Sequence, residues 1–309
     1  MNYRSNNAGF TLIELAVSLA VMGLVIAMCL QIAIPLTQQR KVSVTKDNMA
    51  RIINTLSVYA QRNSRIPCPA DPTTTNTTQP VGAEVGSGAS GNAMPTLTAS
   101  GCMNNGVAYN EGIVPYRTLG LIKTDVIDAH GNYYTYRVNA NFARDPTIAN
   151  NVHGWCRSSS WISGVLNRNP MRARFCCSDK SLAGQELSVT DASGVALYPF
   201  TRDNSNYAAV DTLYAGPTLT QTSNNITTVI FVLVSHGENR SGAFLEDGNR
   251  SPSLSNTGTS ESENGDADTT YIYRTRVELS GTAHYDDVVA WRTQDQVFAE
   301  TGSGSCALP

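Results

Sequence analysis

The sequence is poor in charged residues and has no cluster of basic ones. Lysine, arginine, aspartate and glutamate make up 15% of its 309 residues, and the formal net charge is −3. Nucleic-acid-binding domains carry a basic patch or stripe, so the charge distribution argues against a nucleic-acid partner. The hydrophobic fraction of 41% is still sufficient for a folded core.

Motifs of common catalytic and metal sites are also missing. The sequence contains no GxSxG elbow, P-loop, HExxH motif or EF-hand loop, and no CxxC pair. The histidines have no metal-ligand spacing, and each is interpreted as a turn or surface residue: His130, His153, His236 and His284. These absences disfavour an anchored hydrolase and predict a non-enzymatic protein without a zinc site.

A long apolar run lies close to the N-terminus. It follows the short polar stretch 1–9 and extends from Phe10 to Pro35. Residues 10–34 would span about 37 Å as a helix, enough to cross a hydrocarbon core of about 30 Å. A secretory signal peptide would be shorter and would end in a small-residue cleavage site, which is absent here. Composition alone leaves a plain signal anchor open.

One acidic residue, Glu14, interrupts the apolar run. A carboxylate near the centre of a membrane helix costs about 2.5–3.5 kcal/mol, and less near the edge. A charge retained in such a place indicates a function, and that function requires a partner of opposite charge.

The segment Gly9-Phe10-Thr11-Leu12-Ile13-Glu14 resembles the class III signal of type IV prepilins and type II secretion pseudopilins. The resemblance implies that prepilin peptidase cleaves between Gly9 and Phe10 and that the new Phe10 amine is methylated. It also implies an assembly role for Glu14, whose carboxylate would neutralise the Phe10 ammonium of a neighbouring subunit and set the axial register.

The same resemblance implies a location and partners. The protein would be a structural subunit of a type II secretion pseudopilus or a type IV pilus, with a single pass through the bacterial inner membrane and a periplasmic C-terminal head. Its partners would be other pilin or pseudopilin subunits, prepilin peptidase, the inner-membrane assembly platform and membrane lipid. The length of the chain favours a minor subunit at a tip or initiating position. The alternative is a membrane-anchored periplasmic module that binds a secreted substrate or surface ligand.

Hydrophobic periodicity predicts an α+β fold in which one long helix packs on an antiparallel β-rich head. The predicted divisions are a leader at 1–9, a transmembrane half-helix at 10–34, an amphipathic half-helix at 35–64 and a head at 65–309. Pro35 should kink the helix without ending it. Apolar residues at helical spacing should pack on the sheet: Val42, Met49, Ile52, Ile53, Leu56 and Tyr59.

The head is predicted to combine short strands with long polar loops. The strand candidates are 133–139, 173–178, 226–235, 269–279 and 285–291, and the polar loops lie near 72–101 and 248–268. The second loop ends in acidic residues that are interpreted as solvated: Glu261, Glu263, Asp266 and Asp268.

Six of the seven cysteines follow the apolar run, and Cys29 lies inside it. An even number of cysteines beyond a membrane segment is typical of an oxidising compartment such as the periplasm. The favoured pairing joins Cys68 to Cys102 at the base of the first polar loop. A second bridge would join Cys156 to either Cys176 or Cys177. Cys306 would then pair with whichever of Cys176 and Cys177 remains.

Further segments resemble blocks of large pseudopilin-like proteins, namely 66–71, 112–120 and the turn 128–132, in which His130 stands where tryptophan is usual. Major pseudopilins bind calcium through a similar loop and a later aspartate turn. By resemblance, calcium would be held by four residues: Ser235, Asn239, Asp286 and Asp287. The alternative is an ordinary hydrogen-bonded turn whose aspartates cap strands. No other cofactor is expected.

Overall fold

The structure is a computed structural model. It describes residues 11–63, 65–73, 80–86, 102–105, 107–143, 187–193, 197, 229–253, 259–277, 284–293, 296–297 and 300. The chain forms two units, residues 1–44 and residues 45–309.

Helix α1 spans Leu12–Asn63 and runs through Pro35 without ending there, as expected. In the first unit, Leu12–Cys29 is the stretch of the described chain that is long and apolar enough to cross a membrane, and none of it is buried. In the second unit, the helix buries Met49, Ile52 and Leu56 in the head. These positions recur every three or four residues and so lie on one face of the helix.

A four-stranded antiparallel sheet forms the centre of the head. Its strands are β3 (Glu111–Ile113), β5 (Thr135–Val138), β7 (Val229–Ser235) and β10 (Val288–Thr293), in the order β10-β7-β5-β3. Thr135 of β5 pairs with Val234 of β7, and Val288 of β10 pairs with Ser235. All seven residues of β7 are buried. A continuous apolar run of this kind suits a strand that is covered on both faces.

Each face of β7 contributes to a separate hydrophobic cluster. Phe231 and Leu233 pack with the buried residues of α1, in the larger cluster. Val232 and Val234 point the other way and pack with Val189, Tyr271 and Val289. Alternate residues of a strand point to opposite faces, so the sheet lies between the two clusters.

The remaining described elements are short. They are β1 (Met103–Asn104), β2 (Val107–Ala108), a 3-10 helix (Lys123–Val126), β4 (Asn132–Tyr133), α2 (Ala140–Ala143), β6 (Ser188–Thr190), β8 (Phe244–Leu245), α3 (Ser260–Asn264) and β9 (Thr270–Ile272). Strands β1–β2 and β4–β8 pair antiparallel, whereas β6 and β9 pair in parallel.

The predicted α+β class is confirmed: a long N-terminal helix is followed by a largely antiparallel, β-rich domain. The strand candidates at 133–139, 226–235 and 269–279 contain β5, β7 and β9, each of which is shorter than predicted, and the candidate at 285–291 overlaps β10, which extends two residues further. The candidate at 173–178 lies outside the described residues.

The predicted disulfide between Cys68 and Cys102 is present. It joins the chain that follows α1 to the start of β1, and both cysteines are fully buried. Cys29 is a free, exposed cysteine of the helix. The other four predicted participants lie outside the described residues: Cys156, Cys176, Cys177 and Cys306.

Candidate functional site

The turn at 128–132 is held by its aspartate. The Asp128 side chain accepts hydrogen bonds from the backbone N–H groups of His130 and Asn132, each at 2.9 Å. Gly131 adopts a φ of +83°, a left-handed conformation that favours glycine. The Ser235 hydroxyl at the end of β7 donates to the second Asp128 oxygen at 2.6 Å. This turn is therefore tied to the end of the central strand.

The four predicted calcium ligands lie near the same end of the sheet, but each has its own partner. Ser235 bonds Asp128, and the Asn239 amide donates to Glu261 Oε2 at 2.7 Å. Asp286 Oδ2 accepts the backbone N–H groups of Glu238 and Asn239. Asp287 Oδ2 accepts a hydrogen bond from Asn264 at 2.8 Å. The structure thus brings Asn239 and Asp286 together, and calcium binding by the four residues stays a prediction.

The interpretation of Glu261 as a solvated loop residue is wrong. Glu261 lies in α3, which is capped by the Thr259 side chain, and it is 1% exposed. Its Oε1 atom accepts the backbone N–H of Asp286 at 2.9 Å. Burial raises the pKa of this carboxyl, and the neighbouring Asp286 charge adds to that effect. By contrast, Asp266 and Asp268 are exposed, as expected.

The interpretation of His236 as a turn or surface residue is also wrong. Its ring is fully buried, and Nε2 lies 2.9 Å from the Thr135 hydroxyl. Nδ1 lies 3.8 Å from Asp287 Oδ1. Burial lowers the pKa of His236 from 6.5 to about 3 and raises that of Asp287 well above 3.8. The imidazole is therefore neutral in the folded head at ordinary pH. His153 lies outside the described residues.

Glu14 lies in the first turn of α1, where a negative charge interacts favourably with the helix dipole. Its backbone N–H faces the Thr11 hydroxyl at 3.4 Å, and its carbonyl accepts the Ser18 hydroxyl at 2.7 Å. The residue is exposed among exposed apolar side chains such as Leu12 and Leu15. The carboxylate is therefore accessible to another molecule. Gly9 and Phe10 lie outside the described residues.

Comparison with known protein families gives a match at the N-terminal end of the chain. Residues 4–30 match the prokaryotic N-terminal methylation motif. This motif is the prepilin-type signal of pilins and pseudopilins. The chain carries that signal. The motif supports a precursor of the pilin or pseudopilin type. No curated protein and no solved structure gives a significant match.

A prepilin-type signal has consequences for the whole precursor. It implies processing by prepilin peptidase and assembly with other pilin subunits. Together with the apolar helix, it fits a protein that is anchored in a membrane and assembled into a pilus. The motif belongs to structural, generally non-enzymatic proteins.

A buried ion pair at the end of α1 was not predicted from the sequence. Arg65 and Glu84 are each 3% exposed, and their two hydrogen bonds measure 2.7 and 2.8 Å. Glu84 also accepts the Cys68 backbone N–H at 2.9 Å and faces the Tyr59 hydroxyl at 3.3 Å. Burial raises the pKa of Tyr59, and the Glu84 charge raises it further. Glu84 lies within the predicted polar loop 72–101, and only its position between Ala83 and Val85 hinted at burial.

Proposed function

We propose that the chain is a non-enzymatic structural subunit of a type II secretion pseudopilus or a type IV pilus. Before assembly it crosses the bacterial inner membrane once, through the first part of α1, and its head lies in the periplasm. The prepilin-type signal at residues 4–30 supports this function. The Cys68–Cys102 disulfide supports an oxidising compartment for the head, since such bonds are rare in the cytosol.

The accessible Glu14 carboxylate is the observation that carries the proposal. It is exposed within the apolar stretch that is long enough to cross a membrane. Cleavage after Gly9 would leave an α-ammonium on Phe10, a second charge at the edge of the apolar medium. Each charge is costly in lipid, and pairing between subunits removes part of that cost. The pair also fixes how far one helix is displaced along its neighbour.

We assign the chain a minor position, at the tip or in the initiating complex. The head occupies most of the 309 residues, and its sheet carries long connecting segments. Bulky heads suit a position with few lateral neighbours better than the dense repeat of a filament shaft. The partners are other subunits, prepilin peptidase, the assembly platform and membrane lipid.

The assembly role is tested with Glu14→Gln and Glu14→Ala in cells that express the other subunits. Both variants should insert into the membrane and form the Cys68–Cys102 disulfide. Their incorporation, measured by crosslinking or co-purification with other subunits, should fall by about tenfold or more, because each leaves a neighbour's Phe10 ammonium unpaired. Ser18→Ala is the matched control. Ser18 lies one helical turn after Glu14 and carries no charge. The Ser18→Ala chain should therefore be incorporated normally.

The N-terminal peptide is analysed by mass in the same preparations. A methylated Phe10 agrees with the proposal, whereas an intact Met1 would favour the membrane-anchored binding module. Normal incorporation of both Glu14 variants would contradict the pairing. So would loss of both variants from the membrane, since Glu14 would then act in insertion or processing.

A further inference from the structure

Three side chains of the head converge on one point, here called the carboxylate–histidine cluster: Glu261, His284 and Asp286. Glu261 comes from α3, whereas His284 and Asp286 come from the segment that precedes β10. His284 Nε2 lies 3.7 Å from Glu261 Oε1 and 3.7 Å from Asp286 Oδ1. The three ligand atoms all lie within 4.8 Å of one another.

These separations suit a shared metal ion better than direct contacts. A distance of 3.7 Å is too long for a hydrogen bond between nitrogen and oxygen. Two ligand atoms that each lie about 2.1 Å from a tetrahedral metal ion are about 3.4 Å apart. A small shift of the three side chains would therefore bring their ligand atoms to coordinating distance from one metal ion, with the fourth position left for water.

The two carboxylates are already oriented toward His284 by hydrogen bonds on their outer sides. Asp286 Oδ2 accepts the backbone N–H of Glu238 at 2.7 Å, and Glu261 Oε2 accepts the amide of Asn239 at 2.7 Å. Gly237 permits this approach, because a Cβ atom there would lie 2.3 Å from Asp286 Cγ. Metal-binding carboxylates are commonly held by such outer contacts.

One carboxylate oxygen of the cluster is buried and receives no hydrogen bond from the described residues. Asp286 is 3% exposed, and its Oδ1 atom, which faces His284, accepts no hydrogen bond in the described part of the chain. An unsatisfied buried carboxylate oxygen is costly, and a bound cation would offset that cost. Glu261 lies beside it and adds a second buried carboxylate.

We propose that the carboxylate–histidine cluster binds Zn²⁺ through Glu261 Oε1, His284 Nε2 and Asp286 Oδ1. An imidazole with two carboxylates suits zinc, whereas calcium takes oxygen ligands. His284 is 31% exposed at its side chain, so the cluster is accessible to solvent on this side. The bound ion would link α3 to the segment before β10 and, through Asp286, to the turn that follows β7.

The test is zinc chloride titration of the full chain, solubilised in detergent with its disulfides oxidised, by isothermal calorimetry. The wild-type chain should bind a single Zn²⁺ and gain thermal stability. His284→Gln should weaken the affinity by roughly a hundredfold or more, because loss of an outer-shell partner alone costs about 10–100-fold. Glu261→Gln is the second variant and should show the same loss. His130→Gln, which changes a turn histidine outside the cluster, should bind zinc normally.

Urea unfolding in chelator checks that His284→Gln folds as the wild-type chain does. Absence of zinc binding by the wild-type chain would overturn the proposal, as would equal zinc affinity of the wild-type, His284→Gln and Glu261→Gln chains. A parallel calcium chloride titration distinguishes the two cations. Calcium binding that survives His284→Gln, without zinc binding, would favour the oxygen ligands predicted from the resemblance and overturn the zinc site.

Discussion

Replacement of Glu84 by glutamine tests whether the Arg65–Glu84 pair fastens the end of α1 to the head. The change keeps the size of the side chain and removes its charge. In the native head the Arg65 guanidinium forms two short hydrogen bonds with the Glu84 carboxylate. In the variant its buried charge would face a neutral amide. The amide would also have to replace a carboxylate that accepts the Cys68 backbone N–H.

The expected loss of unfolding free energy is about 3–5 kcal/mol, the usual cost when one partner of a buried ion pair is removed. The assay is urea unfolding of the detergent-solubilised chain, followed by intrinsic fluorescence. Glu246→Gln is the matched control, since Glu246 pairs with Lys123 at 3.1 Å on the surface and is 54% exposed. Exposed pairs contribute about 0–1 kcal/mol, so this variant should unfold almost as the wild-type chain does.

A double-mutant cycle separates the pair from the other contacts of Glu84. Arg65→Met combined with Glu84→Gln leaves no unpaired buried charge, so the double variant should lose less stability than the two single losses added together. A coupling of about 2–3 kcal/mol is expected for residues in direct contact. If Glu84→Gln costs less than about 1 kcal/mol, as the control should, the buried pair does not stabilise the junction and the reasoning is refuted.

Two further predictions concern the stability of the head. Replacing Cys68 and Cys102 together by serine should cost about 3–4 kcal/mol in the same urea assay, because the bond closes a loop with a sequence separation of 34. An unchanged urea midpoint would contradict this prediction, since it would mean that removing the bond does not increase the conformational entropy of the unfolded chain. His236 is neutral in the folded head because burial lowers its pKa from 6.5 to about 3. Below pH 6.5 the histidine of the unfolded chain binds a proton that the folded one does not. The contribution of His236 to the unfolding free energy is therefore complete above pH 6.5 and should fall by up to about 1.4 kcal/mol per pH unit as the pH decreases toward 3. The difference in unfolding free energy between the wild-type chain and His236→Gln, measured at several pH values, isolates this slope from the opposite effect of Asp287, whose pKa is raised. A difference that does not vary with pH would contradict it.

The parts of the structure that were predictable from sequence depend on local pattern. The buried face of α1 follows from apolar residues at helical spacing, and β7 follows from an uninterrupted apolar run. The Cys68–Cys102 bond is predictable because the two cysteines bracket a polar loop. The Glu14 signal is a short contiguous motif. None of these inferences requires knowledge of which distant segments meet.

The parts that were missed are buried polar groups whose partners lie far along the chain. Glu84 lies in a segment predicted as a polar loop, and its burial follows only from the ion pair with Arg65, 19 residues earlier. Glu261 belongs to an acidic run that looks solvated, yet it accepts a hydrogen bond from Asp286, 25 residues later. His236 follows β7 directly but is covered by Thr135, 101 residues earlier. Burial of a polar side chain is favourable only when a partner is supplied, and hydrophobic periodicity does not encode that partner.

The end of β7 shows how such partners accumulate at one place. Ser235 bonds the Asp128 turn, His236 bonds Thr135, and the backbone of Glu238 bonds Asp286. Three separate segments are therefore joined to the residues that follow one central strand. The sheet itself is stabilised by apolar packing on both faces, whereas these segments depend on polar contacts that a cation would extend. If the carboxylate–histidine cluster binds zinc as proposed, removal of the ion should increase amide hydrogen exchange in α3 and in the segment before β10, while exchange in the four-stranded sheet stays unchanged.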